Sequence, residues 1–432
     1  MMRVLWLCNI MLPVIEDALG LPVSNKEGWL SGLAARFCRE NGEEGESAGG
    51  RVTLGVCFPI SGVTMQGETK GIAWYGFPED TIHPECYDEA VEGHFHNILE
   101  DFAPDIVHCF GTEYPHTLAM TKAFGRPERT LIGIQGLCFV YADAYMADLP
   151  VRIQKRTLLR DFLRQDNLVR QQEKYRQRGE YEKEALQNAG HVTGRTDWDR
   201  KWTRAVNPAA AYHFMNETLR TPFYGPVWDR ETCIPCRIFL SQGNYPIKGL
   251  HYILQALPKI LAAYPKTCVY VAGDIITRFS TWKEKLKISS YGRYLLELIQ
   301  TYGLEQSVVF LGKLDAAAMV QQYLCSHVFL SPSAIENSPN SVGEAMLLGM
   351  PVVSSDVGGV HNMLVSGEEG LLYAAGDTDA LADSICRVFD EENREMIIQM
   401  GQAARRHALQ THDGERNYRR LLEIYDEINL CV

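Results

Sequence analysis

The chain has 432 residues, 46% of them hydrophobic and 22% charged, with a formal net charge of −12. That length exceeds one ordinary hydrophobic core and sets two globular domains as the expectation. The acidic balance argues against a nucleic-acid backbone as partner, because phosphate neutralisation needs a surplus of Lys and Arg. Twelve cysteines are scattered without the spacing of a disulfide framework, which fits a reducing cytoplasm.

The first segment, "MMRVLWLCNIMLPVIEDALG", reads as a buried strand from Arg3 to Cys8 rather than a signal peptide, since Asn9 and Pro13 interrupt the apolar run. No stretch approaches the roughly 18 consecutive apolar residues of a membrane span. Short apolar runs then alternate with longer amphipathic stretches, the pattern of parallel sheets with crossover helices. In the first half the strand candidates are "RVLWLC", "RVTLGVCF", "GIAWYGF", "DIVHCFG", "TLIGIQG" and "HVTGRT". In the second half they are "RIFLSQG", "TCVYVAGD", "SVVFLG", "HVFLSPS", "PVVSSD" and "GLLYAAGD". Most end in Gly, Asp or Ser, as strand ends do at the ligand-facing rim of an open α/β sheet.

Residues 151–178 reverse the overall charge, with nine Lys or Arg against three Asp or Glu and apolar residues Ile153, Leu158, Leu159, Phe162 and Leu163 at helix-like spacing. Two readings fit: a solvated helix lying on the first domain, or a basic amphipathic surface that meets an anionic lipid or acceptor. The "DWD" at Asp197–Asp199 reads as a helix-capping feature rather than a metal-binding pair. A Pro- and aromatic-rich connection follows at about Thr221 to Pro235. Within it and just beyond, Cys233 and Cys236 have C-x-x-C spacing but lack the further ligands of a closed zinc site, so they read as ordinary thiols.

In the second half "SQGNYPIKGLHYILQAL" sets Gly243, Asn244 and then Lys248 between a strand end and a helix. The stretch "SPSAIENSPNSVGEAMLLGMPVVSSDVGG" places Ser338 as a helix N-cap, Pro339 at the first helical position, and Gly349 with Pro351 as the stop. A helix over about Pro339 to Leu348 would leave the amides of Asn340, Ser341 and Val342 free, where the macrodipole favours an anion. Glu344 shares that helix face, and Glu336 precedes the cap. As acceptor-only groups both glutamates suit hydroxyls on either side of a phosphate, not the phosphate itself. The plainer reading is a capped helix with two solvent-facing glutamates.

From about Ile238 to Val388 these motifs, with "SGEEGLLYAAGDTDALADSI", resemble the donor-binding half of retaining, nucleotide-sugar-dependent glycosyltransferases of family 4. The first half, through "DIVHCFG", "IGIQGL" and "HVTGRTDWDR", resembles their acceptor domain more loosely. The resemblance implies the GT-B fold: two doubly wound Rossmann-like α/β domains facing across a cleft. It sets an acceptor-side domain at 1–225, a donor-binding domain at 226–407, and a C-terminal helix at about 408–432 packed back on the first. By resemblance Glu336 binds the donor sugar hydroxyls, Glu344 the ribose and Lys248 the diphosphate, while the backbone around Leu311, Gly312 and Lys313 lies near the nucleobase.

The chain also departs from that family. Asn244 stands where the family has a diphosphate-binding arginine, for which Arg195 is a candidate substitute. Gly28, beside Glu27 and Trp29, is what remains of a Gly-Gly loop. Gln135 replaces a histidine that contacts the donor sugar or the reaction centre, and an amide can hydrogen-bond there but cannot titrate.

The implied reaction moves a hexosyl unit from a nucleoside diphosphate sugar to a hydroxyl of a saccharide or lipid-linked acceptor, in surface polysaccharide or glycolipid assembly. It requires no metal or other cofactor. The expected place is the cytoplasm, with peripheral contact at the inner membrane face through residues 151–178. A nucleotide-sugar 2-epimerase and a non-catalytic sugar-nucleotide-binding protein are the alternatives.

Overall fold

The computed structural model describes residues 1–21, 28–41, 51–277 and 287–430. They divide into two compact units: Met1–Val140, Lys174–Arg220 and Thr411–Val432 form the first, and Tyr141–Glu173 with Thr221–Gln410 form the second.

The first unit is built on eight strands: β1 (Met2–Leu7), β2 (Val52–Ile60), β3 (Met65–Thr69), β4 (Ile72–Pro78), β5 (Ile106–Phe110), β6 (Thr130–Gly133), β7 (His191–Gly194) and β8 (Ala211–Phe214). Their order is β3-β4-β2-β1-β5-β6-β7-β8, parallel except for the β3/β4 hairpin. The order reverses between β1 and β5, and a crevice at the carboxyl ends of such a pair is where open α/β sheets bind ligands. In the second unit β9 (Ile234–Leu240), β10 (Cys268–Ala272), β11 (Val308–Gly312), β12 (Ser326–Ser331), β13 (Val352–Ser355) and β14 (Leu371–Tyr373) run in the order β11-β10-β9-β12-β13-β14. All are parallel, and the reversal lies between β9 and β12.

Each apolar run identified from the sequence becomes a strand. The two strands without a counterpart there, β3 and β8, carry little apolar signal. β3 is exposed along most of its length and exists as the hairpin partner of β4 across a two-residue turn at Lys70 and Gly71. β8 is a four-residue edge strand with only His213 buried.

The helix Gly414–Leu430 closes the core of the first unit, laying Tyr418, Leu421, Ile424, Tyr425 and Ile428 on Val4, Trp6 and Leu54. Burial there includes polar groups, which must be paired. The Tyr425 hydroxyl accepts from Trp6 Nε1 at 2.8 Å and lies 2.8 Å from His108 Nδ1. Burial drives the His108 pKa down to about 3, so the ring is neutral.

Residues 151–178 do not form one helix. They supply short helices Val151–Gln154 and Leu159–Arg164 and the start of Leu168–Gln187. Up to Glu173 they belong to the second unit rather than resting on the first. Buried Asp161 anchors the middle helix, accepting from Ser290 N at 3.0 Å and from the Ser290 hydroxyl, while Arg156 holds Glu297 through two bonds of 2.9 and 3.0 Å. Just upstream, Ala147 and Asp148 take left-handed backbone angles, φ 44° and 54°. His251 Nε2 bonds the Ala147 carbonyl at 2.8 Å, and the Tyr252 hydroxyl donates to Asp148 at 2.7 Å. Leu159, Phe162 and Leu163 are left 53%, 63% and 70% exposed.

Tyr425→Phe removes the partner of both Trp6 Nε1 and His108 Nδ1 at almost unchanged volume. It is expected to lower unfolding free energy by at least about 1–3 kcal/mol, the cost of a buried orphaned polar group, in urea titrations followed by tryptophan fluorescence.

Candidate functional site

In the second unit the loop after β12 carries Glu336, and its backbone is gripped from both sides. Ala334 N donates to Ile247 O at 2.7 Å, Gly359 N to Glu336 O at 3.1 Å, and Ser355 Oγ to Ser333 O at 2.6 Å. Two glycines permit that approach. A Cβ on Gly249 (φ +69°) would stand 1.9 Å from Pro332 O, and one on Gly358 (φ +57°) would stand 1.7 Å from Glu336 O. Neither position accepts a side chain without moving the loop.

The loop thereby delivers Glu336 to Lys248. Lys248 Nζ donates to Glu336 Oε1 at 2.5 Å, and Ser333 Oγ donates to the same oxygen at 2.8 Å. Lys248 ends the 3-10 turn Pro246–Lys248 that follows β9, so cation and carboxylate come from the two strands flanking the reversal of the sheet. Glu336 is 6% exposed and Glu344 3% exposed. The solvent-facing reading of the two glutamates is therefore wrong: two carboxylates taken out of water need partners, and Glu336 has them.

The helix after the loop runs Asn340–Leu348 and ends at Gly349. Pro339, not Ser338, takes the cap position with φ −67° and ψ 119°, and no side chain caps the helix. With that extended ψ, Pro339 O turns back to accept from Val342 N at 3.0 Å. Val342 is thus withdrawn from the expected set of free amides, and the N–H groups of Asn340 and Ser341 remain for a ligand. Gly243 and Asn244 follow β9. Gly243 packs tightly on Leu250 and Val271, and the side-chain oxygen of Asn244 is buried with no partner among the described residues. Gly312 ends β11, with its carbonyl accepting from Gly273 N at 3.0 Å, and Lys313 pairs with Asp274 at 3.0 Å. All of these stand at carboxyl strand ends of one sheet.

In the first unit the strand ends bring together Gln135, Arg195 and Glu217. Thr196 caps the helix Asp197–Val206 in a reciprocal box with Asp199, as the capping reading of "DWD" requires, and Asp199 Oδ2 also accepts from Arg195 N at 3.0 Å. That fixes the start of the Arg195 side chain. Its guanidinium bonds Glu217 Oε1 at 2.8 Å and Ile134 O at 3.1 Å, and Gln135 Nε2 donates to the same Glu217 oxygen at 2.7 Å. Burial pushes the Glu217 carboxyl up, and Arg195 works against that shift. Arg195 and Gln135 are therefore joined to each other through Glu217. Gly28 opens the helix Gly28–Asn41, and Glu27 lies outside the described residues.

Reading the sequence missed Glu217, Ser333 and the function of Gly358. Glu217 follows β8, so recognising "AYHF" as a strand would have marked it as a rim residue. Ser333 and Gly358 lie inside quoted motifs, but their roles depend on contacts across the chain.

Residues 236–391 match the family model described as Glycosyl transferases group 1. The chain is 27% identical over 185 residues to a D-inositol 3-phosphate glycosyltransferase of Corynebacterium urealyticum, an alignment covering 41% of this chain and 40% of that protein. It is 27% identical over 193 residues to a phosphatidyl-myo-inositol mannosyltransferase of Mycobacterium leprae, covering 44% and 46%. The chain thus aligns with less than half the length of these curated relatives. Among solved structures it resembles Anabaena Alr3699/HepE in complex with UDP-glucose, with a TM-score of 0.66 at 15% identity over 99% of this chain and 100% of the other. It also resembles sucrose-phosphate synthase from Thermosynechococcus elongatus, with a TM-score of 0.65 at 13% identity over 99% of both chains. At such identity these likenesses establish the fold, the two-domain GT-B type.

Gly358→Ala should cost about 2 kcal/mol or more in stability, because a left-handed backbone and a collision with Glu336 O combine. Gly367→Ala, at φ +86° with no atom within 4 Å of the new Cβ, should cost only about 1 kcal/mol. Equal losses in thermal unfolding would mean that the Gly358 contact carries no constraint.

Proposed function

We propose that this chain, whose residues 236–391 match the glycosyl transferases group 1 family model, moves a hexosyl unit from a nucleoside diphosphate sugar to a hydroxyl acceptor with retention of anomeric configuration. The observation that carries this reading is the pairing of part-buried Lys248 with buried Glu336 beside the start of the helix Asn340–Leu348. A departing diphosphate needs its developing charge neutralised. Lys248 and the amides of Asn340 and Ser341 supply a fixed positive field for it. Glu336 accepts from hydroxyls of the sugar, and Glu344 from the ribose.

With a leaving group this good, no protein nucleophile is required, and the departing phosphate oxygen takes the acceptor proton on the same face. The positive field comes from the chain itself, so the reading calls for no metal ion. The relatives named for inositol 3-phosphate and phosphatidyl-myo-inositol support a polyol-bearing or lipid-linked acceptor, and with it a role in glycolipid or surface polysaccharide assembly.

Among the described residues no helix is long and apolar enough to cross a membrane. The contact with a membrane surface is assigned instead to the helix Leu159–Arg164 and its surroundings. There exposed Val151, Leu159, Phe162, Leu163 and Val169 are interleaved with exposed Arg152, Lys155, Arg164 and Arg170. Apolar side chains flanked by cations suit an anionic lipid interface.

Glu336→Gln should abolish sugar transfer with nucleotide affinity nearly unchanged, whereas Glu344→Gln should weaken the nucleotide about tenfold. Lys248→Ala should lower kcat by about 10²–10³-fold, as loss of a charge-stabilising donor does. Isothermal titration and donor-consumption assays read these, and wild-type rates in both glutamate variants would refute the assignment. Donor incubated without acceptor should not epimerise. In sedimentation with vesicles containing phosphatidylglycerol, binding should fall steeply as salt rises and drop several-fold in Phe162→Ser. Binding indifferent to both would remove the membrane contact.

A further inference from the structure

The Arg195–Glu217 pair of the first unit lines a pocket that opens to solvent and is lined also by Phe110, Gly133, Gln135 and Thr193. The pair is not saturated. Glu217 Oε1 accepts two bonds, from Gln135 and Arg195. Its other oxygen, Oε2, is buried and has no donor among the described residues, and Arg195 Nε is buried with no acceptor among them. Glu217 itself is 5% exposed. An unpaired carboxylate oxygen at that depth is costly, and a ligand that completed it would recover the cost on binding.

The two unmet atoms define the ligand. Glu217 Oε2 needs a donor and Arg195 Nε needs an acceptor, and an alcohol hydroxyl is both at once. A phosphate or carboxylate would satisfy Arg195 only and would be repelled by Glu217. An ammonium would satisfy Glu217 only and would be repelled by Arg195. Because the two charges cancel within the pair, the pocket offers an anion no net attraction.

We propose that Arg195 and Glu217 form a hydroxyl-recognition subsite, Glu217 Oε2 accepting from and Arg195 Nε donating to one hydroxyl of an uncharged sugar or polyol. Resting on the transfer reading above, this makes the part of the acceptor seated in the first unit a neutral polyhydroxylated ring rather than a phosphorylated one. Gln135, at the position where related chains have a titrating histidine, then serves as the buttress that fixes Glu217 Oε1 and leaves Oε2 for the ligand.

The test is saturation-transfer NMR on the full chain without donor. The probes are methyl glucoside, methyl mannoside, methyl galactoside and myo-inositol, with glucose 6-phosphate, mannose 6-phosphate and glucosamine as charged counterparts. At least one neutral probe should bind, competed by none of the charged ones. Glu217→Gln, which places an amide N–H where a hydroxyl donor should enter, should weaken that probe about tenfold or more with the melting temperature unchanged within a few degrees. Binding of the sugar phosphates in preference to the neutral probes would overturn the inference, as would binding of no neutral probe or equal binding by a folded Glu217→Gln. The wild-type selectivity stands as a measurement even where the variant fails to fold. Donor turnover is scored separately. Neutral binding without any sugar transfer would sink the transfer reading alone, and efficient transfer to a phosphorylated ring seated at this pocket would sink the subsite alone.

Discussion

Everything assigned to the second unit depends on one constraint, the immobility of six residues after β12. A carboxylate that is 6% exposed can serve a ligand only if its partners are already in place, since relaxation at the moment of binding would consume the interaction. The grip supplied by Ile247, Gly249, Ser355 and Gly358 is entirely backbone-directed. Ser333 and Lys248 complete the shell of Glu336. Preorganisation here is a property of main-chain packing, with the charged groups as its beneficiaries.

The two units apply one architectural rule to different chemistry. In both, strand order reverses once, and polar residues collect at the carboxyl ends beside the reversal. The second unit pairs one cation with one carboxylate beside two unclaimed helix amides, which gives a site with positive character toward a phosphate. The first unit pairs Arg195 with Glu217 beside a helix start that Thr196 and Asp199 already cap, so the charges of the pair cancel locally. On the readings proposed above, a phosphorylated ligand belongs to the second unit and an uncharged one to the first.

Much of this was legible in the chain itself, and what was not has identifiable causes. Buried parallel strands are written as apolar runs, so β1, β5, β9 and β12 were visible. β8 was not, because a four-residue edge strand needs no apolar alternation to exist, and with it went Glu217. The helix at Asn340 was legible to within one residue, but its cap was not. Ser338 has the right chemistry, yet the extended ψ of Pro339 sets the start one position later and takes Val342 out of the set of free amides. The pairing of Lys248 with Glu336 joins residues 88 apart in sequence, and no local pattern encodes a contact at that separation. The break-up of residues 151–178 into short helices likewise follows from tertiary anchors, Asp161 on Ser290 and Arg156 on Glu297, rather than from their own periodicity.

The chain passes between its two units four times, at residues 140/141, 173/174, 220/221 and 410/411. A contiguous fragment beginning near residue 226 would lack 141–173 and so leave His251, Tyr252, Ser290 and Glu297 without the partners they hold in the whole protein. Neither half can then be excised by a single cut without exposing buried polar groups. Interleaving of this kind ties the folding of each unit to synthesis of nearly the whole chain, so a nascent polypeptide stopped at residue 220 would carry Tyr141–Glu173 as an unsupported insert. An evolutionary exchange of either unit with another protein would have to replace all of its discontinuous pieces together, three for the first unit and two for the second.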